Sequence, residues 1–273
     1  MDLFSLQGKL ALIIGGGGVL GSAMARGLAE AGAKVAVADL SVDAAKATAD
    51  QIIRAGGNAK GYGANAMLET EMQSLRDAVA ADWGVPDILL SAVGGNVKAA
   101  TTSETMSFFD IPLTALEQVV GLNLFAGAIL PAKMFGRDMA AKPAGATIIN
   151  VSSMNAFRPL TKVMGYSAAK AAVSNFTQWL AVHLAQNYSP KVRVNAIAPG
   201  FFLTGQNRHL LTDQSTGALT PRGNSIIAHT PMGRFGAPED LMGVAVWLAS
   251  EASAFVTGIV IPVDGGFSAF SGV

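Results

Sequence analysis

The 273-residue chain contains no cysteine. Disulfides and thiolate metal sites are therefore excluded, and a reducing cytoplasm is the expected compartment. Charge is scarce too: 14% of residues, 19 basic against 19 acidic, for a formal net charge of zero. Such a balance offers no surface for nucleic acid and no cationic face for a membrane. No clean apolar run of about 20 residues, the length of a membrane span, is expected. The opening MDLFSLQGKLALII carries an acid and no basic leader, so it does not read as a signal peptide. Only three histidines occur, His183, His209 and His229, without metal-ligand spacing, and no metal site is expected.

What the chain has is apolar residues, 51% of the total, enough for one large domain with a buried core. Short apolar runs alternate with helical patterns. KLALII, KVAVAD, AKGYGA, DILLSAV, ATIINVS, VRVNAIA and GIVIPVDGG read as strands. Helices are expected after the first glycine cluster, after Asp39, near 69–83, 113–140, 166–188 and 238–250. Strand–helix alternation implies a parallel sheet with helices on both faces. The reading is a single-domain, Rossmann-type doubly wound α/β sheet of about seven parallel strands over 1–273. Residues 200–237 are too long for a plain connection, so a substrate loop or lid is expected there.

Two stretches carry chemistry. IIGGGGVLG follows the first strand and opens a helix, and Gly16, Gly18 and Gly21 satisfy G-x-G-x-x-G. Without side chains, backbone N–H groups approach a pyrophosphate at a helix N-terminus. Asp39 ends the second strand 18 residues after Gly21. An acid there accepts from ribose hydroxyls and repels a 2′-phosphate, so NAD is expected over NADP. In SSMNAFRPLTKVMGYSAAK, Tyr166 and Lys170 are spaced to share one helix face. A nearby ammonium would favour the phenolate and let Tyr166 exchange a proton during hydride transfer. Ser152 and Ser153 are both candidates for holding the substrate oxygen.

Together these residues resemble the short-chain dehydrogenase/reductase family over essentially the whole chain. In that family the serine lies 13 residues before the tyrosine, which selects Ser153. The resemblance implies a catalytic set of Asn123 in GLNLFAG, Ser153, Tyr166 and Lys170, with Asn123 holding a water that relays protons through the lysine. It also implies coenzyme contacts from Gly15, Gly17, Gly18, Val19, Leu20 and Gly21, from Asp39, Asn65 and Ala66, and from Val93 and Gly94. Tyr166, Lys170, Pro199, Gly200, Phe202 and Thr204 complete the nicotinamide half. The chain departs from the family pattern at Ile14, Val19, Asn65 and the SAVG segment Ser91–Gly94. Arg234 resembles a structural arginine of the family, and PVDGG a segment often buried between subunits, so a homo-oligomer, dimer or tetramer, is expected.

Within the family, GGGGVLG, AVGGN, LTKV, NFTQWLAVH, HTPMGRFG and IPVDGGFSAFSGV look like the group assigned to interconverting D-mannonate and D-fructuronate. The expected substrate is accordingly a sugar acid. Lys98 and Arg208 are expected to receive its carboxylate and Asn155 and Asn207 to bind hydroxyls, with Asn96 and Gln206 also in the substrate site. A polyol or gluconate-type dehydrogenase, a 3-oxoacyl thioester reductase and a non-catalytic nucleotide-binding regulator are the competing readings.

Overall fold

Seven strands form one parallel sheet: β1 Leu10–Ile14, β2 Lys34–Asp39, β3 Asn58–Gly63, β4 Ile88–Ser91, β5 Ala146–Val151, β6 Val192–Pro199 and β7 Val260–Val263. Their order is β3-β2-β1-β4-β5-β6-β7, with every pairing parallel. The computed structural model describes residues 2–205, 207–213 and 215–272. Strand β1 is buried along its whole length, which explains why LALII is continuously apolar rather than alternating.

Helices cover both faces. On one lie α1 Val19–Glu30, α2 Val42–Arg54 and α9 Met242–Ala249, which pack Met24, Leu28, Ile52 and Leu248 against Ile13, Val37 and Leu90. On the other lie α3 Glu69–Trp83, the helical rod of 113–140 and α6 Met164–Asn187, contributing Met72, Phe135, Met139 and Leu180 against Leu12 and Leu89. The winding reverses between β1 and β4, and the crevice outside the carboxyl ends of those strands is where such sheets bind ligands.

Two regions are more elaborate than the sequence pattern suggests. The expected helix near 113–140 is three joined pieces: α4 Leu113–Val120, a π-helical stretch Gly121–Ile129, and α5 Leu130–Ala140. The rod is 28 residues long, and an 18-residue window of it has a mean hydropathy of 1.6, so it is long and apolar enough by composition to cross a membrane. Here Ala126, Met134 and Phe135 turn one side of it into the core. The stretch 200–237 folds as an arm carrying α7 Arg208–Leu211 and α8 Pro221–Ala228. Its base is closed by Gly236 N–H donating to Phe201 O at 2.9 Å and Leu203 N–H to Gly236 O at 3.1 Å. Thr220 starts α8: its hydroxyl accepts from Gly223 N–H at 3.1 Å, and Pro221 occupies the first turn.

Candidate active site

The glycine turn is built for close approach. Gly15 has φ +78°, a conformation that favours glycine, and a Cβ there would lie 2.8 Å from the Ala92 backbone. A Cβ on Gly17 would lie 2.9 Å from Asp39 Cγ, and any side chain on Gly21 would strike the Gly15 carbonyl. Gly18 is the N-cap of α1, and Val19 is the first residue inside the helix. Val19 points outward and is 40% exposed, so no glycine is needed at that position. Asp39 reaches back under the turn: one carboxylate oxygen accepts from Gly17 N–H and the other from Ser41 N–H, both at 3.0 Å. The carboxylate is thereby held at the end of β2 with lone pairs left for further donors.

A cavity of about 370 Å³ opens above this turn. It is lined by Gly15, Gly17, Gly18, Asp39, Asn65, Ala66, Val93 and Gly94, eight of the expected coenzyme residues, and extends to Leu40, Met67 and Leu122. Bare glycine backbone, a ribose-ready acid and apolar walls fit a dinucleotide. Asn65 is partly committed: its side-chain oxygen accepts from Met67 N–H at 2.9 Å, and Glu71 caps its own N–H at 2.8 Å. Pro199, Gly200, Phe202 and Thr204 lie along and just past the end of β6. A Cβ on Gly200 would meet Asp264 at 2.6 Å.

The four expected catalytic residues converge at the carboxyl ends of the strands. Of the two serines after β5, Ser152 is turned into α6, with its hydroxyl 3.0 Å from Lys170 O and 2.7 Å from Ser174 Oγ. Ser153 Oγ makes no such bond to α6 among the described residues and lies close enough to Tyr166 to pull its phenol down, which also favours Ser153. Lys170 is buried, its ammonium donating to Val151 O at 2.8 Å and lying 5.7 Å from the Tyr166 ring centroid. Burial lowers the Lys170 pKa to about 8. Burial also pushes the Tyr166 phenol up, against the opposing pull of the Ser153 hydrogen bond. Without coenzyme, the raising effect of desolvation is the larger of the two. Tyr166 therefore rests as a neutral phenol, ready to donate.

Asn123 does not hang free in the site. Both hydrogens of its side-chain amide are used, donating to Gly95 O at 2.6 Å and Val119 O at 2.8 Å, while its oxygen accepts from Gly95 N–H at 3.1 Å. The side chain fixes the segment after β4, where a Cβ on Gly94 would lie 2.7 Å from Asn123 Oδ1 and 3.0 Å from Lys170 Nζ.

Of the expected substrate residues, Asn155 is the one the structure leaves poised. It is buried two residues after Ser153, and its side-chain oxygen has no hydrogen-bond partner among the described residues. Asn96 and Asn207 are instead occupied locally. Asn96 donates to Thr101 Oγ1 at 2.7 Å, and Asn207 bridges Thr204 N–H at 2.8 Å and Phe202 O at 2.7 Å, holding the loop rather than facing a ligand. Lys98 sits exposed on a single 3-10 turn and Arg208 exposed at the start of α7. Gln206 lies outside the described residues. Arg234 is structural, as expected, clamped on Asp240 at 2.6 and 3.0 Å. His183 packs against Trp179, ring centroids 4.6 Å apart.

A family model described as enoyl-(acyl carrier protein) reductase matches residues 18–268. An uncharacterized oxidoreductase of Haemophilus influenzae is 47% identical over 280 residues, covering 98% of this chain and 96% of that protein. A crystal structure of a candidate D-mannonate oxidoreductase from Haemophilus influenzae with bound NAD superposes with a TM-score of 0.91 at 46% identity, covering 98% of each chain. A gluconate 5-dehydrogenase of Burkholderia cenocepacia in complex with NADP and tartrate superposes with a TM-score of 0.84 at 30% identity, again over 98% of each chain. A glycine-floored cavity at the sheet's switch point, a serine and tyrosine in contact above a buried lysine, and this full-length likeness lead to one conclusion: the chain belongs to the short-chain dehydrogenase/reductase family and is an oxidoreductase.

Proposed function

We propose that the protein is an NAD(H)-dependent oxidoreductase that interconverts a secondary alcohol and a ketone of a sugar acid, with D-mannonate and D-fructuronate as the first pair to try. The observation that carries the substrate class is the buried, unpartnered Asn155 amide beside Ser153. A buried acceptor left unpaired costs stability unless a donor pairs it, and the hydroxyls of a sugar acid supply such donors. The Haemophilus structural neighbour supports the same pair. The Burkholderia neighbour favours a gluconate-type substrate as the second reading, within the same chemical class. A non-catalytic regulator would have no use for the paired Ser153 and Tyr166 above Lys170.

The reaction follows from the residues. The glycine turn and Asp39 would hold the coenzyme, which when bound would supply or accept the hydride and bring a positive charge in its oxidised form. Ser153 and Tyr166 hydroxyls grip the substrate oxygen from the same side. In reduction Tyr166 delivers its proton to the forming alkoxide; in oxidation Tyr166 must first give up its phenol proton, and the phenolate then takes the proton of the alcohol. Lys170, near its titration point at about 8, is suited to resupply that proton. Asn123 keeps the Gly94–Gly95 segment clear of the lysine.

NAD is the coenzyme in this reading because Asp39 stands where a 2′-phosphate would fall. We also place the enzyme in the cytoplasm, as a homo-oligomer: Phe125 on the rod and Trp179 and Val182 on the neighbouring α6 leave apolar surface exposed. The test is coenzyme reduction with a panel of aldonates, neutral hexitols and bile acids. Turnover of hexitols or bile acids in preference to every aldonate overturns the sugar-acid assignment.

A further inference from the structure

A second cavity, of about 350 Å³, lies against the N-terminal end of α6, the helix that carries Tyr166, and shares no residue with the coenzyme cavity. Three separate parts of the chain enclose it. The segment Leu160–Val163 leads from the Ser153 turn into α6, and Val163 is the N-cap of that helix, three residues or about 4.5 Å of helical rise ahead of Tyr166. The arm contributes Arg222 and Ser225 from α8 and His229 from its end. Phe201, just past β6, and Phe267, from the tail, form an aromatic wall with ring centroids 5.3 Å apart. The tail is tied to the Ser153 side by Arg158, which donates to Phe270 O at 2.6 Å.

The chemistry of this lining is one-sided. It holds two cations, Lys162 and Arg222, and no carboxylate. Neither side chain makes a hydrogen bond or ion pair among the described residues, whereas Arg234, on the same arm, is spent on Asp240. His229 Nδ1 lies 2.7 Å from Ser225 O. A carbonyl only accepts, so Nδ1 carries the proton and Nε2 of the neutral ring is left as an acceptor suited to a hydroxyl. Lys98 and Arg208 line neither this cavity nor the coenzyme cavity.

The geometry points to this cavity as the subsite for the substrate's carboxylate, with Arg222 and Lys162 as its charge partners and the His229 ring facing a hydroxyl. The inference rests on the sugar-acid reading. It moves the specificity-determining cations from Arg208 and Lys98 to the arm helix and the α6 entry loop. A planar guanidinium can grip both carboxylate oxygens, so Arg222 should dominate and Lys162 add a point charge.

The test uses Arg222→Gln, Lys162→Gln and, for comparison, Arg208→Gln in the full chain. KM for D-mannonate or D-fructuronate is expected to rise about tenfold or more in Arg222→Gln and less in Lys162→Gln, the size of a lost charged hydrogen bond. The ratio of kcat/KM for the acid to that for a neutral hexitol should fall by the same factor, with NAD affinity as the check on folding. Where the wild type oxidises hexitols only, the sugar-acid reading fails, and the subsite is tested separately by competitive inhibition with D-mannonate. A Ki raised about tenfold by Arg222→Gln then supports it. Unchanged KM and Ki, a larger effect from Arg208→Gln, or no inhibition of the wild type by any aldonate overturns the subsite.

Discussion

Asn123 grips Gly95 from both sides, donating to its carbonyl at 2.6 Å and accepting from its N–H at 3.1 Å, as a neighbouring strand would. The third bond, to Val119 O four residues back, lies where the rod passes into its π-helical stretch. Asn123→Leu keeps the volume and strips all three bonds. The expected result is a loss of about 2–4 kcal/mol, from backbone groups left unpaired in a dry site, together with weaker coenzyme binding. Thermal unfolding and NADH titration measure both. A variant with wild-type Tm and coenzyme affinity would show that the clamp contributes nothing.

Gly94 has no room to grow. Its missing Cβ would crowd Asn123 Oδ1 at 2.7 Å and Lys170 Nζ at 3.0 Å. Gly94→Ala should destabilise the protein by about 1–3 kcal/mol through overpacking and lower kcat by displacing the ammonium. Undiminished kcat would mean that Lys170 tolerates being moved.

Tyr166→Phe removes one oxygen and little else. Turnover should fall to less than about a hundredth of wild type, as expected for loss of a general acid–base group, with coenzyme affinity retained. Retention of more than that residual rate excludes Tyr166 as the proton-transfer group. Steady-state kinetics with coenzyme titration decides it.

Lys170 loses its proton as pH rises through about 8, because burial lowers its pKa from 10.5. Tyr166, pushed up from 10.0, keeps its proton beyond that point. Ketone reduction consumes a proton, so kcat/KM for reduction should decline on the alkaline side near pH 8. A profile flat until Tyr166 itself titrates would remove the lysine from the relay.

Asp39 sets coenzyme choice. The wild type should prefer NAD to NADP in kcat/KM, and Asp39→Ser, small and uncharged, should shrink that preference by about tenfold or more, since a charged hydrogen bond is typically worth about 1.5–3 kcal/mol. Equal use of both coenzymes by the wild type would end this assignment.

The sheet was legible because each strand announces itself: KVAVAD is β2 residue for residue, and ATIINVS contains β5. Spacing marked Tyr166, Lys170 and Asp39 as candidates, and the family resemblance raised them above an ordinary helix and strand end. What the sequence could not show was orientation. Ser152 and Ser153 are identical letters, and only the turn after β5 sends one into α6 and the other toward Tyr166. Asn207 and Asn155 are equally polar in print, yet one is spent on a loop and the other left open. The π-helical register around Asn123 leaves no periodic trace, because GLNLFAGAI satisfies an ordinary helix equally well. The Arg222 cavity was hidden for a related reason: its walls come from three stretches far apart in the chain.

That distribution bears on how the molecule could be re-engineered. The proton-transfer groups and the coenzyme turn hang on strand ends and on α6, which the sheet holds rigid. Arg222, Ser225 and His229 belong to an arm joined to the sheet at a narrow neck between Phe201 and Gly236. An exchange of the arm alone, cut at that neck, would transplant a different substrate preference onto an unaltered redox engine.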